Sequence, residues 1–348
     1  MNGGVLAGDQ KKDGKKTMKL LHIGKEGNLE KYAAPDSFLF ELERVVAPIG
    51  RPAGEYVRIA GDAEFILADA IGAVNGELIN SMPSLRLIHS EGVAYNQIDI
   101  ETARKRRVYV CNSRGMNASA VAEQTILLML GMLRDVTGGD RAVRNGEQIR
   151  VKEGYMQRGD LRELADCSVG IVGFGDIGRE TARLLHAFGV QKILCTKRTP
   201  LSPQEEAAYG VRCCSIDRLL AESDIVSLHV PVSKDTAGMA DRSFFAAMKD
   251  GALFVNTARG EIVDDAALIE ALASGKIAMA AMDTLDKEPV QPDHPLLQVP
   301  EALADRLLFS PHIGGITASS FRRSYAMIAE DIRDVAEGRT PKRVVNPW

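Results

Sequence analysis

From Met18 onward, short apolar runs alternate with stretches whose apolar positions recur every three or four residues. The runs at 20–23, 65–68, 85–89 and 108–111 read as buried strands, with helices at 38–46, 77–82 and 102–107 between them. Further strand-like runs follow at 169–172, 192–196, 225–229, 253–256, 278–282 and 307–310. This alternation predicts an α/β chain with mainly parallel, doubly wound sheets. Asn117 is placed to cap a long helix running through Val121, Ile126, Met129 and Leu133, with a domain boundary near its start. A last helix is expected at about 319–337, and the pattern alone leaves open which domain it joins.

The second half opens on Val-Gly-Ile-Val-Gly-Phe-Gly-Asp-Ile-Gly at 169–178. Here an apolar strand runs into Gly173-x-Gly175-x-x-Gly178 and then into a helix with Ile177, Thr181, Leu184, Leu185 and Phe188 on one face. A diphosphate needs backbone N–H groups close to its oxygens, and a side chain on the turn would block that approach; glycine removes the obstacle. The helix N-terminus adds unpaired donors and the positive end of its dipole. Strand, turn and helix in this order predict a dinucleotide site.

A chain of 348 residues suits two domains, each with its own core. Apolar residues at 45% and charged residues at 26% are ordinary globular values and argue against extensive disorder. Forty-three basic against 47 acidic residues give a net charge of −4, which points to neither nucleic acid nor an anionic membrane as a partner. The longest apolar run, 125–133, is interrupted by Gly131 and is too short for a bilayer span of about 20 residues. Residues 1–17, rich in Gly, Lys, Asp and Gln, lack a signal-peptide core; they are expected to be a disordered leader before a start at Met18. The five cysteines show neither paired spacing nor CxxC, so no disulfide framework and no metal site are expected, and a reducing cytoplasm is the expected location.

Ligands of open parallel sheets sit at the carboxyl ends of strands. Four such ends carry polar residues: Lys197 and Arg198 after 192–196; Thr257, Ala258, Arg259 and Gly260 after 253–256; Asp283 and then Glu288 after 278–282; His312 and Gly314 after 307–310. A cationic fork, a carboxylate and a histidine are therefore expected at the edge where the cofactor lies.

The chain resembles the D-isomer-specific 2-hydroxyacid dehydrogenases over nearly everything after Met18. The resemblance rests on Val121-Ala-Glu123, the Gly173 turn, Ser227-Leu-His229-Val-Pro231, Asn256-Thr-Ala-Arg259-Gly260, Asp283 with Glu288-Pro289, and Pro311-His312-Ile-Gly314, in the family's order and spacing. It implies a Rossmann nucleotide domain at 117–315 inserted into a flavodoxin-like substrate domain at 18–116 and 316–348, so that the last helix crosses back. It also implies a substrate held between the domains and a homodimer to whose interface the long helix at 117–135 contributes.

Reduction of a 2-oxo acid needs a cation for the carboxylate, a proton donor for the carbonyl oxygen and a hydride donor at the carbonyl carbon. Arg259 suits the first role because its planar fork can hold the carboxylate and polarise the ketone. His312 suits the second, with Glu288 fixing its tautomer and favouring the protonated form, so that replacing Glu288 is expected to shift the pH dependence of reduction. The resemblance further implies that Asp283 contacts the nicotinamide carboxamide. The cofactor wall is expected to include Gly173, Gly175, Asp176, Ile177, Gly178, His229, Val230, Pro231, Thr257, Ala258 and Gly314. Gly92, Val93 and Ala94 match the family segment whose amides hold the substrate carboxylate. Ala94 stands where a second glycine is common, and Glu91 places an acid beside that segment, unfavourable for an anionic substrate unless it binds a substrate hydroxyl or amine or turns outward. His186 and His294 are expected to be solvated or structural.

NAD sites carry Asp or Glu about 20 residues after the turn, to bind the ribose 2′-hydroxyl. Here Thr196, Lys197 and Arg198 occupy that strand end, and the nearest later acid is Glu205. A 2′-phosphate suits these residues, so NADP(H) is the preferred cofactor, with NAD(H) as the alternative. The segment resembles that of NADPH-dependent glyoxylate/hydroxypyruvate reductases. Competing readings are a D-3-phosphoglycerate dehydrogenase and a nucleotide-sensing corepressor-like scaffold; formate dehydrogenation is disfavoured because those relatives carry glutamine where this chain has Glu288.

Overall fold

The computed structural model describes residues 17–348; residues 1–16, nearly all of the expected leader, lie outside the described residues. The chain divides into two compact units. One is the N-terminal part through Met116 together with Phe321–Trp348, and the other is Asn117–Ser320.

The first unit holds β1 (Lys19–Ile23), β2 (Glu43–Ala47), β3 (Phe65–Ala68), β4 (Leu87–Ser90) and β5 (Tyr109–Cys111) in the order β2-β1-β3-β4-β5. All pairings are parallel, which is the flavodoxin-like order. Alternate residues of each strand serve opposite faces. Leu21, Ile23, Ile66 and Ala68 pack with Tyr56, Leu78, Ile79 and Ala103 of the helices on one side. Leu20, Phe65 and Leu67 pack with Tyr325, Ile328, Ile332 and Val335 of the helix Ala318–Ala336 on the other. Burial on both faces is why these strands read as unbroken apolar runs. The chain end pairs with the β5 edge: Asn346 accepts from the Val110 amide at 2.7 Å and donates to Val108 O at 2.9 Å.

One expectation fails here. Residues 38–46 are not a helix but a short 3₁₀ turn, Phe38–Glu41, followed by β2. β2 is an edge strand, and only its pairing with β1 distinguishes its mixed polar and apolar pattern from a helical one.

The second unit holds β6 (Ser168–Val172), β7 (Lys192–Thr196), β8 (Arg212–Cys213), β9 (Ile225–Leu228), β10 (Ala252–Asn256), β11 (Ile277–Met282) and β12 (Leu307–Phe309). Their order is β12-β11-β10-β9-β6-β7-β8, all parallel. The chain winds outward through β7 and β8 and then returns to β9 on the other side of β6. That is the Rossmann order, with its crossing point between β6 and β9.

The helix Ala118–Leu133 lies inside this unit. Its Ile126, Leu128, Met129, Met132 and Leu133 are buried with Val169, Ile171 and Leu185, so most of the apolar run assigned by expectation to a subunit interface is core. Asn117 occupies the N-cap position, but its side chain makes no capping bond. Two further helices, Val136–Arg144 and Gln148–Arg158, were not anticipated.

Candidate active site

β6 ends at Val172, and the chain turns at Gly173 with φ of +99°. A Cβ on Gly173 would lie 2.6 Å from His229 O, and one on Gly178 would lie 2.5 Å from Gly173 O; one on Gly175 would meet nothing within 4 Å. The first and third glycines thus permit close packing, and the second keeps open the approach a diphosphate needs. The turn is tied to both neighbours, since Gly173 N donates to Thr196 O at 3.0 Å and His229 N to Val172 O at 2.7 Å. The helix Asp176–Ala187 follows directly, with Asp176, Ile177 and Gly178 in its first turn, where amides lack helical acceptors.

Beside the turn, His229 Nε2 lies 2.9 Å from Ser227 Oγ, while its Nδ1 is enclosed without a partner among the described residues. Burial pushes the imidazole pKa down to about 4, so the ring is neutral at physiological pH. An unpaired buried nitrogen at this edge fits a polar ligand group. Val230 and Pro231 continue from His229, with Val230 packed directly over Gly173.

At the end of β7, Thr196 and Lys197 are half-buried and Arg198 is exposed. Glu205 is committed to a helix cap: its Oε2 accepts from Ser202 N at 2.8 Å and Ser202 Oγ at 3.0 Å, closing the capping box of Pro203–Tyr209. The Ser202 amide and hydroxyl, followed by the charges of Lys197 and Arg179, hold Glu205 below the usual carboxylate pKa.

The predicted catalytic residues lie at the ends of β10, β11 and β12. Asn256 folds the first of these loops by donating to Arg259 O at 2.8 Å and accepting from Ala258 N at 3.0 Å. Thr257 Oγ lies 2.9 Å from Thr125 Oγ on the long helix. Gly260 lets this loop touch the next, because a Cβ there would stand 1.9 Å from Leu285 C and 2.1 Å from Asp286 N. Arg259 is exposed, with Nη1 donating to Ala258 O at 2.6 Å and no ion pair to its guanidinium among the described residues.

His312 Nδ1 lies 2.5 Å from Glu288 Oε2, and both side chains are partly open to solvent. Glu288 Oε1 accepts from the Leu285 amide at 3.3 Å. A carboxylate accepts only, so Nδ1 carries the proton and Nε2 is left for a substrate. His312 also has φ of +53°, a left-handed conformation costly for a residue with a Cβ. Asp283 holds it there. Its backbone O accepts from His312 N at 2.8 Å, its Oδ1 from Ser310 Oγ at 2.5 Å and Ile313 N at 3.1 Å, and its Oδ2 from Gly314 N at 2.9 Å. Sequence reasoning assigned Asp283 to the cofactor; this loop-holding function carries no local sequence signal, because its donors come from 27 to 31 residues away.

Gly92, Val93 and Ala94 lie in the first unit, after β4. Their carbonyls are all taken: Gly92 O by Ser113 N at 2.9 Å, Val93 O by Asn112 Nδ2 at 2.6 Å and Ala94 O by Ser90 Oγ at 2.6 Å. The Val93 and Ala94 amides have no acceptor among the described residues, which suits an anion. Glu91 turns inward, opposite to the outward alternative, and is buried beside His22 and Tyr325.

His294 is structural: it accepts from Leu296 N at 3.3 Å and lies 3.3 Å from Asp265. His186 lies 2.9 Å from Tyr209 O.

A Rossmann sheet with a diphosphate turn at its crossing point, and a histidine–carboxylate pair at the same edge, defines a nicotinamide-dinucleotide-dependent oxidoreductase. Residues 126–314 match the model of the D-isomer specific 2-hydroxyacid dehydrogenase NAD binding domain, and the chain belongs to that family. It is 34% identical to a glyoxylate reductase of Thermofilum pendens over 84% of each chain. It is 36% identical to a D-3-phosphoglycerate dehydrogenase of Archaeoglobus fulgidus over 84% of this chain, which spans only about half (53%) of that relative's length. Among solved structures it is similar to a glyoxylate reductase from Paecilomyes thermophila, with a TM-score of 0.76 at 28% identity over 95% of this chain and 99% of the other. The family acts on CH–OH donors with a nicotinamide dinucleotide, so the enzyme expectation stands at that level.

Proposed function

We propose that the chain reduces a small 2-oxo acid of the glyoxylate or hydroxypyruvate kind to the 2-hydroxy acid, with NADP(H) preferred over NAD(H). The observation that carries this reading is the 2.5 Å contact between His312 Nδ1 and Glu288, which leaves Nε2 as the proton donor. Similarity to glyoxylate reductases supports the substrate class. The 36% identity to a D-3-phosphoglycerate dehydrogenase keeps that activity as the second reading.

When bound, a nicotinamide dinucleotide would supply the hydride for the carbonyl carbon. Gly173, Gly175 and Gly178 with the first-turn residues Asp176 and Ile177 would seat its diphosphate, and His229, Val230, Pro231, Thr257, Ala258 and Gly314 would line the nicotinamide side. Asp283 keeps an acceptor site for the carboxamide beside the bonds it makes to the loop. Arg259 binds the substrate carboxylate; in the first unit, the amides of Val93 and Ala94 after Gly92 are of the kind that hold a carboxylate. His312 gives its Nε2 proton to the carbonyl oxygen, and Glu288 stabilises the imidazolium beforehand. Thr196, Lys197 and Arg198 favour a 2′-phosphate, since the nearest later carboxylate, Glu205, is held in its helix cap.

A homodimer is supported by the helix Gln148–Arg158, which buries none of its residues within the chain. It forms with the helix Val136–Arg144 an apolar groove of about 480 Å³ that includes Val143, Val151 and Met156. Among the described residues no helix is long and apolar enough to cross a membrane, and the five cysteines are free, which suits a reducing cytoplasm.

A panel of 2-oxo acids run with NADPH and with NADH tests the reading. Turnover of glyoxylate or hydroxypyruvate with higher kcat/KM for NADPH is expected. No turnover of any 2-oxo acid with retained cofactor binding would replace it with a corepressor-like scaffold.

A further inference from the structure

Glu91 is the residue that the reaction does not use and that an anion site disfavours, yet it is 5% exposed and directly precedes Gly92. Two elements of the first unit close on its carboxylate. Tyr325, from the helix Ala318–Ala336, donates its hydroxyl to Oε1, and His22 of β1 lies 3.4 Å from the same oxygen. Burial opposes its ionisation, but the neighbouring His22 and the Tyr325 hydroxyl outweigh that cost and leave the pKa below the usual carboxylate value. Tyr325, correspondingly, is pushed up by burial and by the Glu91 charge.

The main chain of the same residue is held as firmly. Glu91 N donates to Ala68 O at 2.7 Å, and Glu91 O accepts from Ser324 Oγ at 2.5 Å. Ser324 Oγ in turn lies 2.7 Å from Ser113 Oγ, and Ser113 N donates to Gly92 O. The helix that carries Tyr325 therefore grips both the side chain and the carbonyl of the residue that starts the loop.

We propose that Glu91, anchored by Tyr325 and His22, is a positioning residue for the loop Gly92-Val93-Ala94: it holds the loop carbonyls inward, so that the Val93 and Ala94 amides face an incoming carboxylate. This rests on the assignment of that loop to the substrate. A buried carboxylate hydrogen-bonded to a second element fixes a backbone segment more rigidly than packing does, because leaving its geometry would strand a charge.

The test uses Glu91→Gln, Tyr325→Phe and the double variant in the full chain. For each folded variant, the KM for the 2-oxo acid should rise about tenfold, with kcat and cofactor Kd within twofold of the parent. The double variant should be no worse than the more severe single one, since the two residues act through one bond. Hydrogen exchange at the Ser113 amide, whose acceptor is Gly92 O, should accelerate in all three. A KM unchanged in Glu91→Gln, or additive losses in the double variant, would overturn the proposal. A parent that turns over no 2-oxo acid defeats the reaction assignment instead; Ser113 exchange then still decides the positioning, and unchanged exchange refutes it.

Discussion

Glu288 uses both carboxylate oxygens locally, Oε2 receiving His312 Nδ1 at 2.5 Å and Oε1 the Leu285 amide at 3.3 Å. The residue that orients the imidazole is thus itself oriented by its own loop. Replacing Glu288 with Gln keeps a hydrogen-bonding group but removes the charge that stabilises the imidazolium. The imidazole also loses the acceptor-only carboxylate that fixes its tautomer, so kcat should fall about tenfold or more while cofactor binding is kept. An unchanged kcat would remove Glu288 from this role.

Asp283 accepts three bonds from the segment Ser310–Gly314 and buries 97% of its surface while His312 sits in a left-handed conformation. In Asp283→Asn one acceptor becomes a donor facing another donor, at a cost of roughly 1–3 kcal/mol. The expected result is a thermal midpoint lowered by several degrees and kcat reduced by about 10²-fold, read by calorimetry and steady-state kinetics. An unchanged kcat would mean that the His312 loop keeps its shape without Asp283.

Gly260 touches the backbone of Leu285 and Asp286 so closely that even a methyl group cannot enter. Gly260→Ala should destabilise the second unit by more than about 3 kcal/mol, since backbone rather than a flexible side chain must yield. Chemical denaturation followed by far-ultraviolet circular dichroism reads this.

The cofactor preference is tested at Lys197 and Arg198. Substituting either by Ala should lower kcat/KM for NADPH by about tenfold, the loss of one charge-assisted contact, and leave the NADH value nearly unchanged. Equal losses with both cofactors would mean that these residues do not read the 2′-phosphate.

The apolar groove between the helices Val136–Arg144 and Gln148–Arg158 includes Met156, which is 73% exposed in the single chain. Met156→Glu should convert a dimer to monomer in sedimentation experiments if this face joins two copies, because a carboxylate would be buried without a partner. A parent already monomeric at micromolar concentration would refute the dimer.

Much of this protein is written locally. The strand β7 coincides with the run expected at 192–196, and the glycine turn announces its ligand because diphosphate binding and close strand–helix packing both forbid side chains at fixed positions. Arg259, Glu288 and His312 were likewise legible as strand-end residues, since a parallel sheet delivers every such end to one edge.

What the sequence could not decide depended on partners distant in the chain. Residues 43–47 became a strand only by pairing with β1, and the long helix became core because Val169, Ile171 and Leu185 cover it. Asp283 found its donors 27 to 31 residues away, and Glu91 was drawn inward by Tyr325, 234 residues on. Composition and spacing by themselves determined the two parallel sheets, the dinucleotide turn and the strand-end placement of Glu288 and His312. The tertiary structure alone decided which polar groups face a ligand and which hold the backbone, because a buried hydrogen bond is defined by proximity in space rather than along the chain.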